Sequence, residues 1–386
     1  MTAMARKWFK RLVLILAIIP MLIFLAFLGA INFIDFNGYK PQIEKEVSDY
    51  TGRNFKIEGS IDVSVMPFVF SVGKASLAQP PGFDPKVPQF SMKSVEVELS
   101  MWSLLLHKKL EILSVELVGP TLNLQRNVDG QDNWSDLPAL SNLLPLLPAQ
   151  QQVSANGVQP LPLNAFFTPN ASAQSDTDAW SLQSLVISDG CINLSEQQEN
   201  YRMNLEKVNL FALNLQADKP FEVRSDFQYH HSLSPRTVNF RITSNFEMDQ
   251  KLQNYLFSDW QGVVTVSLPE EFAVPQAHLT TSGSAMKIDL TQKRVQMEQL
   301  NLEGLNGKLQ TNFSGRFGAA LDITGELKAK EIDLPLWSKH LALPLAQKDD
   351  PKWQKVNGEF RWSWVGEEIL IEPYLEKPST STLPAQ

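Results

Sequence analysis

Hydrophobic and polar positions follow three rhythms along this 386-residue chain. Leu12 to Ile31 is an unbroken run of 20 residues with no charge. As a helix it would cover roughly 30 Å, the thickness of a bilayer's hydrocarbon core. Pro20 inside the run is tolerated better in lipid than in water. Gly38 to Tyr50 then shows a helical rhythm. Ile43, Val47 and Tyr50 fall on one face at i, i+4 and i+7, Pro41 suits a first turn and Gly52 an end. This predicts a short helix just past the membrane, packed on the first strands like a plug.

From Phe55 the period becomes two. Phe55 and Ile57, then Ile61, Val63 and Val65, alternate with polar residues. Val95, Val97 and Leu99 alternate with Glu96 and Glu98, Val115 and Leu117 flank Glu116, and Leu122 and Leu124 flank Asn123. Strict alternation gives each strand one dry and one wet face. Leu137 to Asp178 has six prolines, no lysine or arginine and no sustained period, and reads as an extended, disordered insertion. Strands resume after Trp180. Tyr255 to Trp260 reads as a short helical or irregular piece. Ala285 to Leu334 is the clearest meander, with Gly304, Gly307, Gly315 and Gly318 expected to supply turn chemistry. Lys328 to Trp337 should close it with a Leu-Pro bend, before a last pair at Val356–Trp364 and Ile369–Ile371.

Strands follow strands with almost no helical crossover, so the sheet should be antiparallel. Roughly 15 strands at about 4.8 Å each make a sheet on the order of 70 Å long, which must curl, split or close. The expected fold is mainly β: one transmembrane helix, a short juxtamembrane helix, then a long, curled, groove-like antiparallel sheet. The expected segments are a basic cytoplasmic stretch (1–11), the transmembrane helix (12–34) and an N-terminal β domain (35–136). A proline-rich insertion (137–179), a β-meander region (180–377) and a polar tail (378–386) follow.

Charge sets the orientation. Arg6, Lys7, Lys10 and Arg11 precede the apolar run and Asp35 is the first acid after it. The positive-inside rule places the N-terminus in the cytoplasm and the rest of the chain outside, with Trp8 and Phe9 as interfacial anchors. A cleaved signal peptide would have a shorter apolar region, and cleavage after Ala30 would put Leu28 where a small residue is needed. The net charge is −8, of which the first 34 residues carry +4, leaving −8 − 4 = −12 for the remainder. An acidic exported body argues against nucleic acid as partner and against a polybasic grip on anionic lipid. The single cysteine, Cys191, makes no internal disulfide and reads as a small buried apolar residue.

One ordered set of motifs carries a resemblance. Tyr50-Thr-Gly-Arg53 leads into Ile57-Glu-Gly-Ser-Ile-Asp-Val63 and Val72-Gly-Lys-Ala-Ser-Leu77. Trp102-Ser-Leu-Leu105, Glu111-Ile-Leu-Ser-Val-Glu-Leu-Val-Gly-Pro120, Leu122-Asn-Leu124 and Asp129-Gly-Gln-Asp-Asn133 follow. Over roughly residues 8–136 this order resembles the N-terminal domain of the AsmA family of Gram-negative bacteria. The resemblance implies an inner-membrane anchor, a periplasmic body and a role in outer-membrane lipid homeostasis or outer-membrane protein assembly. It also implies kinship with bridge-like lipid transfer proteins, whose curled sheets carry acyl chains on an apolar inner face. Family members are longer and continue through more β units.

Catalytic signatures are missing from the sequence: there is no G-x-S-x-G, H-E-x-x-H, P-loop or G-x-G-x-x-G. No enzyme activity, metal or cofactor is expected. His107, His230, His231, His278 and His340 are scattered and read as surface or turn positions. His230 and His231, adjacent in a strand, would point to opposite faces. Asp129-Gly-Gln-Asp-Asn133 lacks the acid spacing of a calcium loop and reads as a hairpin turn. The apolar strand faces have two readings. They are either a closed core or a groove lined by Val95, Val97, Leu99, Val115, Leu117, Leu122 and Leu124, in which a phospholipid or related lipid replaces the missing second layer. A third possibility is an assembly factor that engages other envelope proteins through exposed strand edges.

Overall fold

The computed structural model describes residues 35–107, 111–137, 181–269, 275–317, 321–341, 351–366 and 368–373. The expected membrane run, the insertion beyond Leu137 and the polar tail lie outside the described residues. Among the described residues no helix is long and apolar enough to cross a membrane.

A single 3-10 turn, Phe36–Tyr39, leads into helix α1, Lys40–Thr51, which has Pro41 in its first turn and ends at Gly52 in the left-handed region (φ 68°). Nineteen strands then make one sheet. The first eight are β1 (Phe55–Ile57), β2 (Ile61–Val65), β3 (Phe68–Val72), β4 (Ala75–Leu77), β5 (Phe90–Met92), β6 (Ser94–Leu99), β7 (Ile112–Val118) and β8 (Thr121–Arg126). They are four long strands, each broken in two. One row runs β1–β4–β5–β8, the other β2–β3–β6–β7. Three of the four breaks have a local cause in glycine or proline. Gly59 and Gly73 face each other so closely that a Cβ on Gly59 would lie 2.3 Å from the Lys74 nitrogen, and Gly119-Pro120 interrupts the β7–β8 strand. Counted as unbroken strands, the sheet has the expected fifteen.

β9 (Ser181–Glu196) joins the two rows, running parallel to β7 along its first half and to β8 along its second. This departs from the all-antiparallel expectation. A parallel neighbour needs a long crossover, and residues 127–180 supply the length. Beyond β9 the chain is an uninterrupted antiparallel meander: β10 (Tyr201–Gln216), β11 (Phe221–His231), β12 (Ser234–Met248), β13 (Asn254–Ser267), β14 (Gln276–Asp289), β15 (Arg294–Gly304), β16 (Gly307–Arg316), β17 (Asp322–Ile332), β18 (Val356–Val365) and β19 (Glu368–Pro373). The sheet has two rims. The β2–β3 turn at Met66 and the start of β9 lie on one, the end of β8 at Arg126 and the β11–β12 turn at Leu233 on the other.

Three further expectations are corrected. Tyr255–Trp260 is strand, the first half of β13. Its alternation is hidden because Asp259 (φ 50°) is a bulge residue that puts Tyr255, Phe257 and Trp260 on one face despite their odd spacing. The Leu-Pro bend is a helix, α2 (Leu334–Leu341). Pro335 sits in its first turn, and the Asp333 carboxylate accepts from the Leu336 amide at 2.9 Å. The β15–β16 turn takes its positive φ at Leu305 and Asn306 rather than at glycine.

Within the sheet, the Trp260 indole lies flat across Gly283 on β14, the residue paired with it. A Cβ on Gly283 would fall 1.8 Å from the ring. Gly283→Ala should therefore destabilise the body by about 1–3 kcal/mol through overpacking, read as a lowered urea midpoint at unchanged slope.

Candidate functional site

Cross-strand register assigns every side chain from β10 onward to one of two faces, and the faces differ in kind. One holds Phe221, Val223, Phe227 and Tyr229 on β11, paired with Phe246, Ser244, Phe240 and Val238 on β12. It continues through Phe257, Trp260, Val264 and Val266, then Leu279, Met286 and Ile288, then Met297, Leu300 and Leu302. Leu309, Phe313, Ile323, Leu327, Phe360, Trp362, Ile369 and Ile371 complete it. From β11 to β19 the ladders place no Asp, Glu or Lys on this face, and its one arginine, Arg236 at the Arg126 rim, is bound to the end of α2. The other face carries the charges, in cross-strand pairs such as Lys287–Glu298 (3.3 Å), Lys308–Glu303 (2.7 Å) and Lys328–Glu359 (2.9 Å). These pairs are exposed and add little stability. An open depression of about 750 Å³ on that side, at Gln296, Glu298, Asn312, Glu326 and Arg361, lies within this solvated charge pattern.

Bulges keep the apolar face continuous. Asp189 in β9, Lys207 and Asn214 in β10 and Asp259 in β13 have φ between 50° and 56°, and each resets the alternation. Aromatic pairs line the result, among them Phe246–Phe257 at 4.7 Å, Phe227–Phe240 at 4.8 Å and Phe313–Trp362 at 5.7 Å. The few hydroxyls on this face turn back onto the backbone. Ser244 donates to the Ser258 carbonyl (3.1 Å), Ser225 to Asn209 (3.0 Å) and Thr311 to Glu326 (2.7 Å). These hydrogen bonds hold the bulges in place.

Parts of the apolar face are covered. At the Arg126 rim α2 lies on it, burying Leu334 and Trp337 against Val266, Leu279, Ile332, Val356 and Phe360. The Arg236 guanidinium on β12 donates to the Lys339 carbonyl at 2.7 Å. Eight helical residues, about 12 Å long, thus tie β17 to β12, rows about 24 Å apart in a flat sheet. The sheet curls toward its apolar side there. At the same rim Trp134 closes over Leu124 and Leu194, with Arg126 stacked on its ring at 5.3 Å. At the first strands, Phe36 and Ile43 cover Ile57, Ile61, Val72, Ala75 and Met92.

That helical entry also seals a sheet edge. Asn37 accepts from the Ile61 amide, Glu44 from Ile57 and Ser48 from Phe55, each at 2.9 Å, so side chains occupy the edge amides of β1 and β2. Behind it sits a buried polar cluster built from two of the sequence motifs. Arg53 of Thr-Gly-Arg donates to the Asn133 carbonyl (2.9 Å) and pairs with Asp136 (2.6 Å). The Asn133 amide donates to Gln79 (2.7 Å) and to the Asn123 carbonyl (2.8 Å). Gln89, fully buried, donates to the same Asn133 carbonyl. Asn127 receives the Asp129 and Gln131 amides, so Asp129–Asn133 is a turn, as expected. Burial pushes the Arg53 pKa below its ordinary value, with Asp136 opposing the shift.

A family model, described as AsmA family, matches residues 5–324. The chain belongs to the AsmA family. No curated protein and no solved structure matches it. In this AsmA family chain the seven residues singled out from the alternation lie on one face of the sheet. Val95 pairs with Leu117 and Val97 with Val115, and both pairs abut β9 through Leu117–Ile187 and Val115–Leu185. Leu122 and Leu124 continue the face beyond the Gly119-Pro120 break, opposite Ile192 and Leu194. They are not equivalent. Leu124 is buried under Trp134, and Leu122 packs beside it. Val95 and Leu117 border the cluster under α1, and Val115 the one around Leu182 and Phe221. Val97 and Leu99 join none of the four buried clusters and stay partly exposed.

Other candidates fall as their local geometry dictates. His230 and His231 do point to opposite faces: His230 approaches Glu206 at 3.9 Å, whereas His231 stacks on Tyr201. His340, read as a surface or turn position, is buried in α2. Cys191 is half-buried rather than buried, its thiol 3.3 Å from the Asn193 amide oxygen. The larger C-terminal half of the apolar face, from Phe221 to Ile371, was missed as a site, although its alternation is as regular as that of β6 and β7.

The Ile57 amide and Lys56 hold the Glu44 carboxylate below its ordinary pKa of 4.5, despite some desolvation. A folded pKa below the unfolded one stabilises the fold above pH 4.5 and loses that contribution as pH falls through the folded value. Glu44→Gln should thus flatten the fall of stability with acidification below pH 4.5, seen as urea midpoints converging with the parent protein at low pH. Parallel curves would remove Glu44 from the edge seal.

Proposed function

We propose that this AsmA family protein is held in the inner membrane by Leu12–Ile31, with a cytoplasmic N-terminus and a periplasmic body. Its apolar face shields or transfers phospholipid-type lipid between the inner and outer membranes. The observation that supports this reading is the apolar face itself, which crosses strand after strand of a single-layer sheet and carries, among the described residues, two short helices. Exposing such a face to water is costly. Each buried CH₂ contributes roughly 0.8 kcal/mol, so one 16-carbon acyl chain supplies about 10 kcal/mol before ordering costs. Lipid carriage by this route needs no catalytic group, and the protein is proposed to act without chemistry of its own. Neither a cofactor nor nucleic acid enters the scheme.

A second reading has its own observation. The β1–β2 edge is sealed by side chains, whereas β19 pairs only with β18 among the described residues. An unpaired edge can accept a strand from another envelope protein, as an assembly factor for outer-membrane proteins would require.

Lipid extraction and mass spectrometry of the purified, extensively washed protein separate the two. The groove reading expects stoichiometric phospholipid, lost in Val97→Asp and retained in Glu96→Gln, its neighbour on the polar face. A folded, lipid-free protein would transfer the case to strand addition. If Val97→Asp unfolds the domain, Val97 is ordinary core.

A further inference from the structure

The Met66 rim carries apolar side chains that the sheet does not use. The β6–β7 connection, whose base is closed by Ser100 donating its amide to the Glu111 carbonyl at 2.8 Å, projects a single π-type turn at Ser103–His107. Trp102 is 72 % exposed and Leu106 69 %, with Leu104 also exposed. Met66, at the tip of the β2–β3 turn, is 76 % exposed. β3 pairs with β6 through Val69–Glu98, which brings the two tips side by side. A tryptophan, two leucines and a methionine held out on short, pinned loops form no core and serve no strand pairing.

The chain itself says what lies beneath them. Asn37 sits beside Ile61, Glu44 beside Ile57 and Ser48 beside Phe55, so read backward from α1 the chain heads along β2 toward Met66. The apolar run ends at Ile31, six residues before Asn37, and six residues span at most about 21 Å. The same rim that shows the apolar tips is therefore the one the anchor run leads into. Lys108 and Lys109 follow the loop in the sequence and match phospholipid phosphates, although the body as a whole is acidic.

We propose that Met66, Trp102, Leu104 and Leu106 form a second membrane contact, inserting into the interface of the phospholipid bilayer that holds the anchor. Tryptophan and leucine on a protruding loop suit the boundary between headgroups and acyl chains. Insertion seats this rim on the bilayer, beside a half-buried stretch of the apolar face: Val97 and Leu99, with Val63, Val65 and Phe68 next to them. Lipid then passes from the leaflet to the sheet without crossing water. The insertion rests on the exposed tips together with the membrane-anchor reading of Leu12–Ile31 above; its use as an entry port rests also on the lipid reading.

The test uses the full chain in vesicles of phosphatidylethanolamine and phosphatidylglycerol. With Cys191→Ser as background, a single cysteine is placed by Leu106→Cys, by Met66→Cys or by Leu233→Cys and labelled with an environment-sensitive fluorophore. Leu233 is as exposed as Leu106, 69 %, but sits on the opposite rim. Labels at 106 and 66 should emit at shorter wavelength and lose most of their intensity when nitroxide-bearing lipid is included, whereas the label at 233 should do neither. Water-like emission at both 106 and 66 would overturn the proposal. In the parent background, Trp102→Ser combined with Leu106→Ser should slow lipid pick-up from vesicles while leaving the amount bound after detergent loading unchanged. Insertion without bound lipid would sink the lipid reading and keep this one; bound lipid without insertion would do the reverse.

Discussion

A single β layer cannot hide its own dry face. Each strand here alternates wet and dry, the backbone ladder fixes every neighbour in register, and the described residues include no second sheet to close over the apolar side. Everything else in the architecture answers that constraint. The helices lie on the dry face, Trp134 and Trp260 fold down over it, and the rims differ because one is covered by α2 and Trp134 while the other ends in exposed tips.

Continuity of that face depends on its irregularities. Over a strand of fourteen to sixteen residues twist accumulates, and one unpaired residue relieves it. Each such residue would turn the rest of the strand inside out were its neighbours not adjusted in step. Asp189 and Lys207 make matched resets in β9 and β10, and the glycine approach at 59 and 73 does the equivalent for the broken strands. Polar residues at the bulges and hydroxyls such as Ser244 and Thr311 opposite them are thus part of what keeps the face apolar.

The two ends of the sheet are treated differently. Asn37, Glu44 and Ser48 satisfy the first edge, and the Arg53–Asn133 cluster locks the end of α1 to the turn after β8. The motifs by which the N-terminal region is recognised hold this corner together. Arg53 and Asn133 fix where the chain enters relative to the apolar face, while Val115, Leu117, Leu122 and Leu124 of the other motifs lie on the face itself.

Sequence alone determined the strand rhythm, the dry residues of β6 to β8, the helix before them and the family, because alternation, caps and motifs are local. Only the tertiary structure decided which dry residues are covered. Leu124 and Val97 read alike in the chain, yet one lies under Trp134 and the other joins no buried cluster among the described residues, since covering comes from segments distant in sequence. The parallel seating of β9, the strand character of Tyr255–Trp260 and the start of α2 at Asp333 were likewise beyond local reading. A long crossover, a bulge and an N-terminal cap each act by shifting register or direction, and their effect appears only once the neighbouring strand is in place.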